Sequence, residues 1–211
     1  MRNSYGAAEL RRLPRFGLRR GRGLLLLAVA AVVAAALAVL LNPRVAPANG
    51  VDKGATIPSK WGPLSAQDRL LLVKVRQAGL WEMPASQMAV QRGASPRVRE
   101  IGKIINQEHM QLDADTRTTA QQLGVSLPAI PNGTQRSYLR ELAGLNGKAF
   151  DTDYVFRMRS AHGQVLPFAA KARVQSQNTI VRAYAERGMR FVLHHIQLLE
   201  STGLVTKSAL H

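Results

Sequence analysis

Apolar positions recur at alternating spacings of three and four residues along the C-terminal two-thirds of the chain, as in helices that bury one face. Ser65 and Asp68 have the spacing of a capping box and predict the start of a first helix. Ser95 followed by Pro96 predicts the start of a second, and Gly124 predicts its end. The alternation with period two that is typical of strands is missing from the sequence. The pattern therefore predicts an all-α fold.

The same spacing predicts two more long helices and one short one. The long helices span about Lys148 to Gln175 and Thr179 to Glu200, and the short helix, about Thr134 to Leu145, lies in the link between the second and third long helices. Short connections within each pair require antiparallel neighbours. We expect a four-helix bundle over residues 65–204, followed by a tail at 205–211. The link is either a crossover along the bundle or an excursion that caps one end.

One polar side chain interrupts the apolar face of each long helix. These residues are Glu82, His109, His162 and His195. Each lies near the middle of its helix by the helical rise, so a bundle would bring all four to one level. Three imidazoles and one carboxylate suit a single divalent or redox metal ion: Zn, Fe, Mn, Cu or Ni. The alternatives are a hydrogen-bonded layer without metal and four unrelated buried environments.

Two neighbouring features bear on this layer. Pro84 lies within the first helix and predicts a kink near Glu82, and Pro167 predicts a bend in the third long helix. His194 is offset from His195 by about 100° around the helix axis, so its side chain should point elsewhere.

The N-terminal region has the pattern of a targeting segment. Residues 1–23 form a basic tail, residues 24–41 are an uncharged run of 18 Leu, Ala and Val residues, and residues 42–64 are a Pro-containing stretch expected to be an extended linker. The charge asymmetry predicts a single-pass protein of the cell membrane, with the tail in the cytoplasm and the bundle outside. The alternative is a signal peptide cleaved after Ala48, which would give a secreted protein.

Composition narrows the function. The chain has 29 Lys and Arg against 13 Asp and Glu and no cysteine, which excludes disulfides, zinc–thiolate sites and cysteine nucleophiles. The excess of positive charge predicts, as an alternative function, a non-catalytic envelope protein that binds anionic polymers or lipid headgroups. A nucleic acid partner is not expected, because only 5% of the residues are aromatic and the chain has export features. No catalytic motif is recognisable, so the sequence does not predict an enzyme.

Several motifs resemble a bacterial ferritin-like family of unknown function, whose members are commonly described as secreted or outer-membrane proteins. The matching motifs are Gly79-Leu-Trp-Glu82, Glu108-His109, Gly124-Val-Ser-Leu-Pro128, Phe150-Asp-Thr-Asp-Tyr154, His162 and His195-Ile196. The resemblance implies a ferritin-like bundle and marks the four mid-helix polar residues as the family's polar positions. Glu108, Asp151 and Tyr154 are candidates for a second layer around them.

The chain departs from the ferritin-like di-iron enzymes, which place Glu-x-x-His pairs on two helices. The residues three positions before His109, His162 and His195 are not Glu; they are Asn106, Arg159 and Val192. A di-iron oxidase is therefore not expected.

Overall fold

The computed structural model describes residues 54–210, and this part of the chain is helical. It has five α-helices: α1 (Ala66–Arg92), α2 (Pro96–Leu123), α3 (Gly133–Ala143), α4 (Gly147–Gln175) and α5 (Thr179–Glu200), with a 3₁₀ turn at Lys207–Leu210. Residues 54–210 contain two isolated β-bridges and no strand. The predicted all-α fold is confirmed.

The predicted helix ends are present. The Ser65 hydroxyl accepts the Asp68 N–H at 3.1 Å, and the Asp68 carboxylate accepts the Ser65 N–H at 2.8 Å, which completes the capping box. The Ser95 hydroxyl accepts the Val98 N–H at 3.4 Å. Gly124 ends α2 with φ 66°, a left-handed conformation that favours glycine. Local chemistry therefore sets where these helices begin and end.

The two prolines do not interrupt their helices. α1 runs without a break through Pro84, and α4 runs without a break through Pro167. The polar positions that precede each proline therefore keep helical spacing relative to the rest of the helix.

Two apolar clusters form the core. The Trp81 cluster consists of Trp81, Ala85, Ala89, Val98, Ile101, Ile105, Leu142, Phe150, Tyr154, Val155, Met158, Leu198 and Leu199. The Tyr184 cluster consists of Leu64, Leu71, Leu72, Leu112, Ala120, Ala169, Ala172, Val181, Tyr184 and Ala185. Along each long helix, one cluster follows the other.

The order of the clusters gives the direction of each helix. α1 and α5 run from the Tyr184 cluster towards the Trp81 cluster, and α2 and α4 run the opposite way. α1 packs against α2 and α4, and α5 packs against the same two helices. Each long helix is therefore antiparallel to both helices that it packs against, an arrangement compatible with a four-helix bundle. The link that contains α3 is a crossover, because α2 ends at one cluster and α4 begins at the other.

α1 and α2 approach each other closely. A Cβ atom at Gly102 would stand 2.8 Å from the Ser86 carbonyl oxygen and 2.8 Å from the Ala89 Cβ, so no side chain fits there. This close approach of the two backbones lies one to two helical turns from Glu82 and two turns from His109.

The chain folds against the helices before residue 65. Ile57 and Leu64 exchange backbone hydrogen bonds of 2.9 and 2.8 Å, and Leu64 is buried. The Asn178 amide, at the turn between α4 and α5, donates to the Ser59 hydroxyl and the Gly62 carbonyl at 3.0 Å. The C-terminal end of the predicted linker is therefore packed rather than extended. In the predicted tail, Ala209 is also buried.

The predicted single-pass membrane localisation needs correction. Within residues 54–210, no helix combines the length and the apolar character needed to cross a bilayer. The long helices have one apolar face only, and charged side chains such as Arg97, Glu100 and Lys103 of α2 lie on the others. The basic tail, the predicted span at residues 24–41 and the cleavage position after Ala48 lie outside the described residues.

Candidate metal centre

Four buried polar side chains lie between the two apolar clusters. Glu82 of α1, His109 of α2, His162 of α4 and His195 of α5 are exposed by 3, 4, 2 and 1%. On α2, α4 and α5 the histidine stands between members of the two clusters, and on α1 Glu82 directly follows Trp81. We call these four residues the polar layer. The structure therefore brings together all four of the residues that the sequence singled out.

Short contacts join the members of the polar layer. His162 Nε2 lies 2.8 Å from His195 Nδ1, and Glu82 Oε2 lies 2.7 Å from His109 Nε2 and 3.6 Å from His162 Nε2. One nitrogen from each histidine falls within a group whose atoms are all within 4.8 Å of one another. Glu82 contacts two of the three rings but is not part of that group. The three histidines thus form the centre, and the carboxylate lies at its side.

The outer partners of two rings determine where their protons lie. His162 Nδ1 lies 2.7 Å from the Met158 carbonyl oxygen, which can only accept, so this nitrogen donates. His195 Nε2 lies 2.9 Å from Glu108 Oε2, and an ionised carboxylate also only accepts. If both rings are neutral, the nitrogens that face each other, His162 Nε2 and His195 Nδ1, are both bare.

Two bare nitrogens 2.8 Å apart repel each other unless a cation lies beside them. A proton on His195 Nδ1 would satisfy His162, but a neutral His195 would then present a bare Nε2 to Glu108. When the rings are neutral and Glu108 is ionised, one of the two contacts of His195, either with His162 or with Glu108, therefore brings two lone pairs together. A metal ion removes the conflict, because it accepts electron pairs from both inner nitrogens while the outer N–H groups keep their acceptors.

The other half of the polar layer contains unpartnered atoms. Glu82 Oε2 and His109 Nε2 are within ion-pair distance of each other, but their directions do not meet the geometry of a hydrogen bond. Neither buried atom has a hydrogen-bond partner among the described residues. A buried polar atom without a partner costs about 1–3 kcal/mol. A cation bound by both atoms would compensate that cost.

The pKa shifts also favour neutral rings at His162 and His195 and an ionised Glu82. Burial lowers the pKa of His162 and of His195 below the usual value, so both rings favour the neutral form. Burial by itself would raise the pKa of Glu82, but the positive charge of His162 and of His109, together with the short contact with His109, outweighs burial and lowers that pKa. The low pKa of Glu82 thus requires positive charge nearby, whereas burial disfavours a positive charge on His162. A metal cation would supply that charge, and it requires neutral imidazoles and an ionised carboxylate.

A cavity of about 30 Å³ adjoins the polar layer. The four members of the layer line one end, and its walls include Leu71, Leu112, Ala169, Tyr184 and Ala185, all from the Tyr184 cluster. No member of the Trp81 cluster lines it. The cavity is therefore polar where it meets the polar layer and apolar elsewhere. It lies on the side of the layer that faces the Tyr184 cluster.

The structure separates the three candidates for a second layer. Glu108 contacts His195, as described above. Asp151 accepts the backbone N–H groups of Ala94 and Ser95 at 3.1 and 2.8 Å, at the turn between α1 and α2. It lies eleven residues, about 16 Å along α4, from His162. Asp151 therefore stabilises a helix connection and does not belong to the second layer.

Tyr154 also has another partner. Its hydroxyl lies 3.0 Å from the Ser86 hydroxyl within the Trp81 cluster. Burial raises its pKa, so the hydroxyl stays neutral. Tyr154 therefore approaches the polar layer without a hydrogen bond to it.

His194 is half-exposed, as its offset on the helix predicts, but it is not isolated. Its Nδ1 lies 3.0 and 3.2 Å from the two oxygens of Glu108. Glu108 therefore connects the buried His195 to a histidine that solvent reaches. The sequence contained no signal for this contact, because Glu108 and His194 are 86 residues apart.

Comparison with known proteins adds one finding. The family described as Domain of unknown function (DUF4142) matches residues 55–201. The match extends over the five α-helices and begins within the folded segment that precedes α1. It carries no ferritin-like or secreted description. No curated protein and no solved structure matches the chain.

Proposed function

Because the chain belongs to the DUF4142 family, a domain of unknown function, we propose its function from the polar layer: it is a metal-binding protein that holds one divalent or redox-active ion. His109, His162 and His195 supply nitrogen ligands, and Glu82 supplies an oxygen ligand. The observation that carries the proposal is the pair of unpartnered buried atoms, Glu82 Oε2 and His109 Nε2. They lie beside two rings whose outer partners leave bare nitrogens at the centre.

The donor set limits the choice of ion. Three imidazole nitrogens and one carboxylate oxygen suit Zn, Fe, Mn, Cu or Ni, whereas Mg and Ca prefer oxygen ligands alone. The Met158 carbonyl and the Glu108 carboxylate would orient His162 and His195 through their outer nitrogens. The site thus contains the outer hydrogen-bond acceptors that metal-binding histidines need.

The proposed frame is a ferritin-like four-helix bundle. The antiparallel packing of the four long helices and the crossover link support it. The site differs from a di-iron centre in its ligands, because the layer contains a single carboxylate. One ion per chain is therefore expected.

The test is metal content together with thermal unfolding of the full-length protein, purified without an affinity tag. We expect about one transition-metal ion per chain, and a chelator should lower the melting temperature of the wild type. His162→Ala should lower both metal content and melting temperature, and a chelator should hardly affect this variant. Glu82→Gln keeps the shape of the side chain and should weaken metal binding without destabilising the metal-free protein.

Thr116→Val is the matched control, because Thr116 is a buried polar residue outside the layer. This variant should keep its metal. Metal content that stays at background after reconstitution with each candidate ion would contradict the proposal, as would equal content in wild type and His162→Ala.

Binding of anionic polymers or lipid headgroups by the basic surface remains the alternative proposal. Eight basic residues between positions 148 and 190 suggested it: Lys148, Arg157, Arg159, Lys171, Arg173, Arg182, Arg187 and Arg190. Five of these form ion pairs with carboxylates: Arg157, Arg159, Arg173, Arg187 and Arg190. The positive charge that is not neutralised by a neighbouring carboxylate is therefore smaller than the sequence suggested. Binding to anionic vesicles at low ionic strength that disappears at about 0.5 M salt would support this function.

A further inference from the structure

The cavity beside the polar layer has room for a ligand. Its volume is about 30 Å³, whereas a single water needs roughly 10–15 Å³. Glu82 and His109, whose facing atoms lack hydrogen-bond partners among the described residues, both line it. The cavity therefore ends at the two residues that carry these atoms.

The opposite end of the cavity offers no free hydrogen-bond donor from residues 54–210. The Tyr184 hydroxyl lies 2.7 Å from the Thr116 hydroxyl, which in turn donates to the Leu112 carbonyl at 2.6 Å. The remaining walls on this side are aliphatic side chains such as Leu71 and Ala169. A ligand in the cavity would therefore have its polar atom at the layer and its apolar part among these walls.

A glycine inside α5 keeps part of this space open. Gly188 lines the cavity two helical turns from His195, and a Cβ atom built on it would meet nothing within 4 Å. Its φ is not positive, so the backbone does not require glycine. Alanine would favour the helix more. Gly102 is the contrast, because a Cβ atom there would collide with α1.

We propose that this cavity is a ligand chamber of the metal centre and admits ligands of two or three non-hydrogen atoms that bind the ion at one end. The inference rests on the proposed metal-binding function and goes beyond it. His109, His162, His195 and Glu82 supply four ligands, so an added ligand would take a fifth position, as in metal sites that expand beyond four ligands. The chamber places this fifth position on the Tyr184 side of the layer.

Size and polarity define the class of ligand. The volume accepts a diatomic molecule or a linear triatomic anion and excludes ring compounds. The apolar walls disfavour ligands with a strongly hydrated group, such as an ammonium or a carboxylate, at the far end. Azide fits the space as a linear ion with a metal-binding end, and imidazole, which also binds metals, is too large.

The test uses the full-length protein loaded with Co²⁺, whose visible absorption bands report its ligands. Azide should shift these bands in a saturable titration, and imidazole at the same concentrations should leave them unchanged. Gly188→Ala and Gly188→Leu should weaken azide binding in that order, the latter by on the order of tenfold or more. The cobalt content of both variants should equal that of the wild type.

Gly79→Ala is the matched control. Gly79 is a buried helical glycine where a Cβ atom makes only ordinary contacts, and it does not line the chamber. This variant should bind azide like the wild type. If Gly188→Leu does not fold, Gly188→Ala carries the test.

The experiment distinguishes an incorrect chamber proposal from an incorrect metal-site proposal. Cobalt that binds with the expected stoichiometry but does not respond to azide would overturn the chamber and leave the proposed function intact. Absence of cobalt binding would overturn both. Xenon binding to the metal-free protein, followed by xenon NMR, reports the chamber without any metal. Xenon should bind the wild type and not Gly188→Leu, and absence of binding to the wild type would overturn the inference.

Discussion

Buried polar groups occur in two kinds of surroundings in this protein, and only one kind completes its hydrogen bonds. Within the apolar clusters, tyrosine hydroxyls pair with neighbouring hydroxyls: Tyr154 with Ser86 at 3.0 Å, and Tyr184 with Thr116 at 2.7 Å. Burial raises the pKa of both tyrosines, so each pair stays neutral. Such a pair stabilises the core without any further component.

The polar layer between the clusters does not complete its contacts. Glu82 Oε2 and His109 Nε2 lack hydrogen-bond partners in the described part of the chain, and the inner nitrogens of His162 and His195 face each other. If the layer served folding alone, neutral hydroxyls like those of the tyrosine pairs would cost less than a buried carboxylate. The comparison supports the proposal that a cation completes the layer.

The two clusters also differ in packing. The cavity lies wholly on the Tyr184 side, where small residues such as Ala169 and Gly188 line it. On the other side, large side chains such as Trp81, Phe150 and Met158 are almost fully buried. One side of the layer is therefore packed as ordinary core, and the other retains space. The following predictions test these differences, from the largest expected effect to the smallest.

Acidification should have the largest effect on the metal-free protein. Because burial lowers the pKa of His162 and His195, the folded state binds fewer protons than the unfolded state below about pH 6.5. Stability should therefore fall as the pH falls, by about 1.4 kcal/mol per unit for each ring that stays neutral. Urea unfolding should give a lower free energy of unfolding at pH 5 than at pH 7, with an upper limit of about 4 kcal/mol for two rings that stay neutral over the whole range.

Two variants sharpen the pH comparison. His195→Asn should reduce the pH dependence, whereas Thr116→Val should leave it unchanged, because the hydroxyl pairs do not titrate in this range. Equal stability of the wild type at pH 7 and pH 5 would show that the rings are not held neutral.

Thr116→Val should have the next largest effect on stability, because it removes a hydrogen bond in the Tyr184 cluster and leaves the polar layer unchanged. The substitution leaves the buried Tyr184 hydroxyl without its partner, which costs about 1–3 kcal/mol of folding free energy. Metal affinity should not change. Urea unfolding and a metal-binding isotherm of the same preparation measure both quantities, and a matching loss of affinity would mean that cluster and layer are not independent.

Glu108→Ala should weaken metal binding about 10- to 100-fold, because His195 would lose the acceptor of its outer N–H. The control is Glu100→Ala on the same helix, where the glutamate pairs with Arg97 at the surface. Competition with a chromogenic chelator measures both affinities. Equal affinities for the two variants would remove Glu108 from the site.

His194→Ala should have the smallest effect. Its offset on the helix suggested a side chain with no connection to the layer, but His194 contacts Glu108 at the surface. Exposed ion pairs contribute about 0.2–1 kcal/mol, so metal affinity should fall by at most about fivefold. A loss as large as that of Glu108→Ala would place His194 within the metal centre.

Much of the fold could be predicted because the signals are local. The capping box at Ser65 and the Ser95-Pro96 start concern residues that are close in the chain, and both are present in the structure. The spacing of apolar residues also determined which face of each helix is buried. That face contains Glu82 and the three histidines, so their common level followed from helical rise alone.

Apart from the membrane localisation, the expectations that the structure corrects concern contacts between distant residues. Asp151 belongs to a motif that resembles a family and was a candidate for the second layer, but its partners are backbone groups 56 and 57 residues away. The segment at residues 57–64 has the composition of a linker, yet it packs because Asn178 binds it. Neither contact follows from helical periodicity, since each depends on which helix ends meet.

The sequence by itself determined the helices, their buried faces and the one polar residue on each long helix, because these depend on residues within a few helical turns. Only the tertiary structure decided the protonation pattern and the space around the centre. The direction of a hydrogen bond depends on what stands beyond each ring, here Met158 and Glu108. The chamber at Gly188 depends on how four helices pack and leave this volume unfilled.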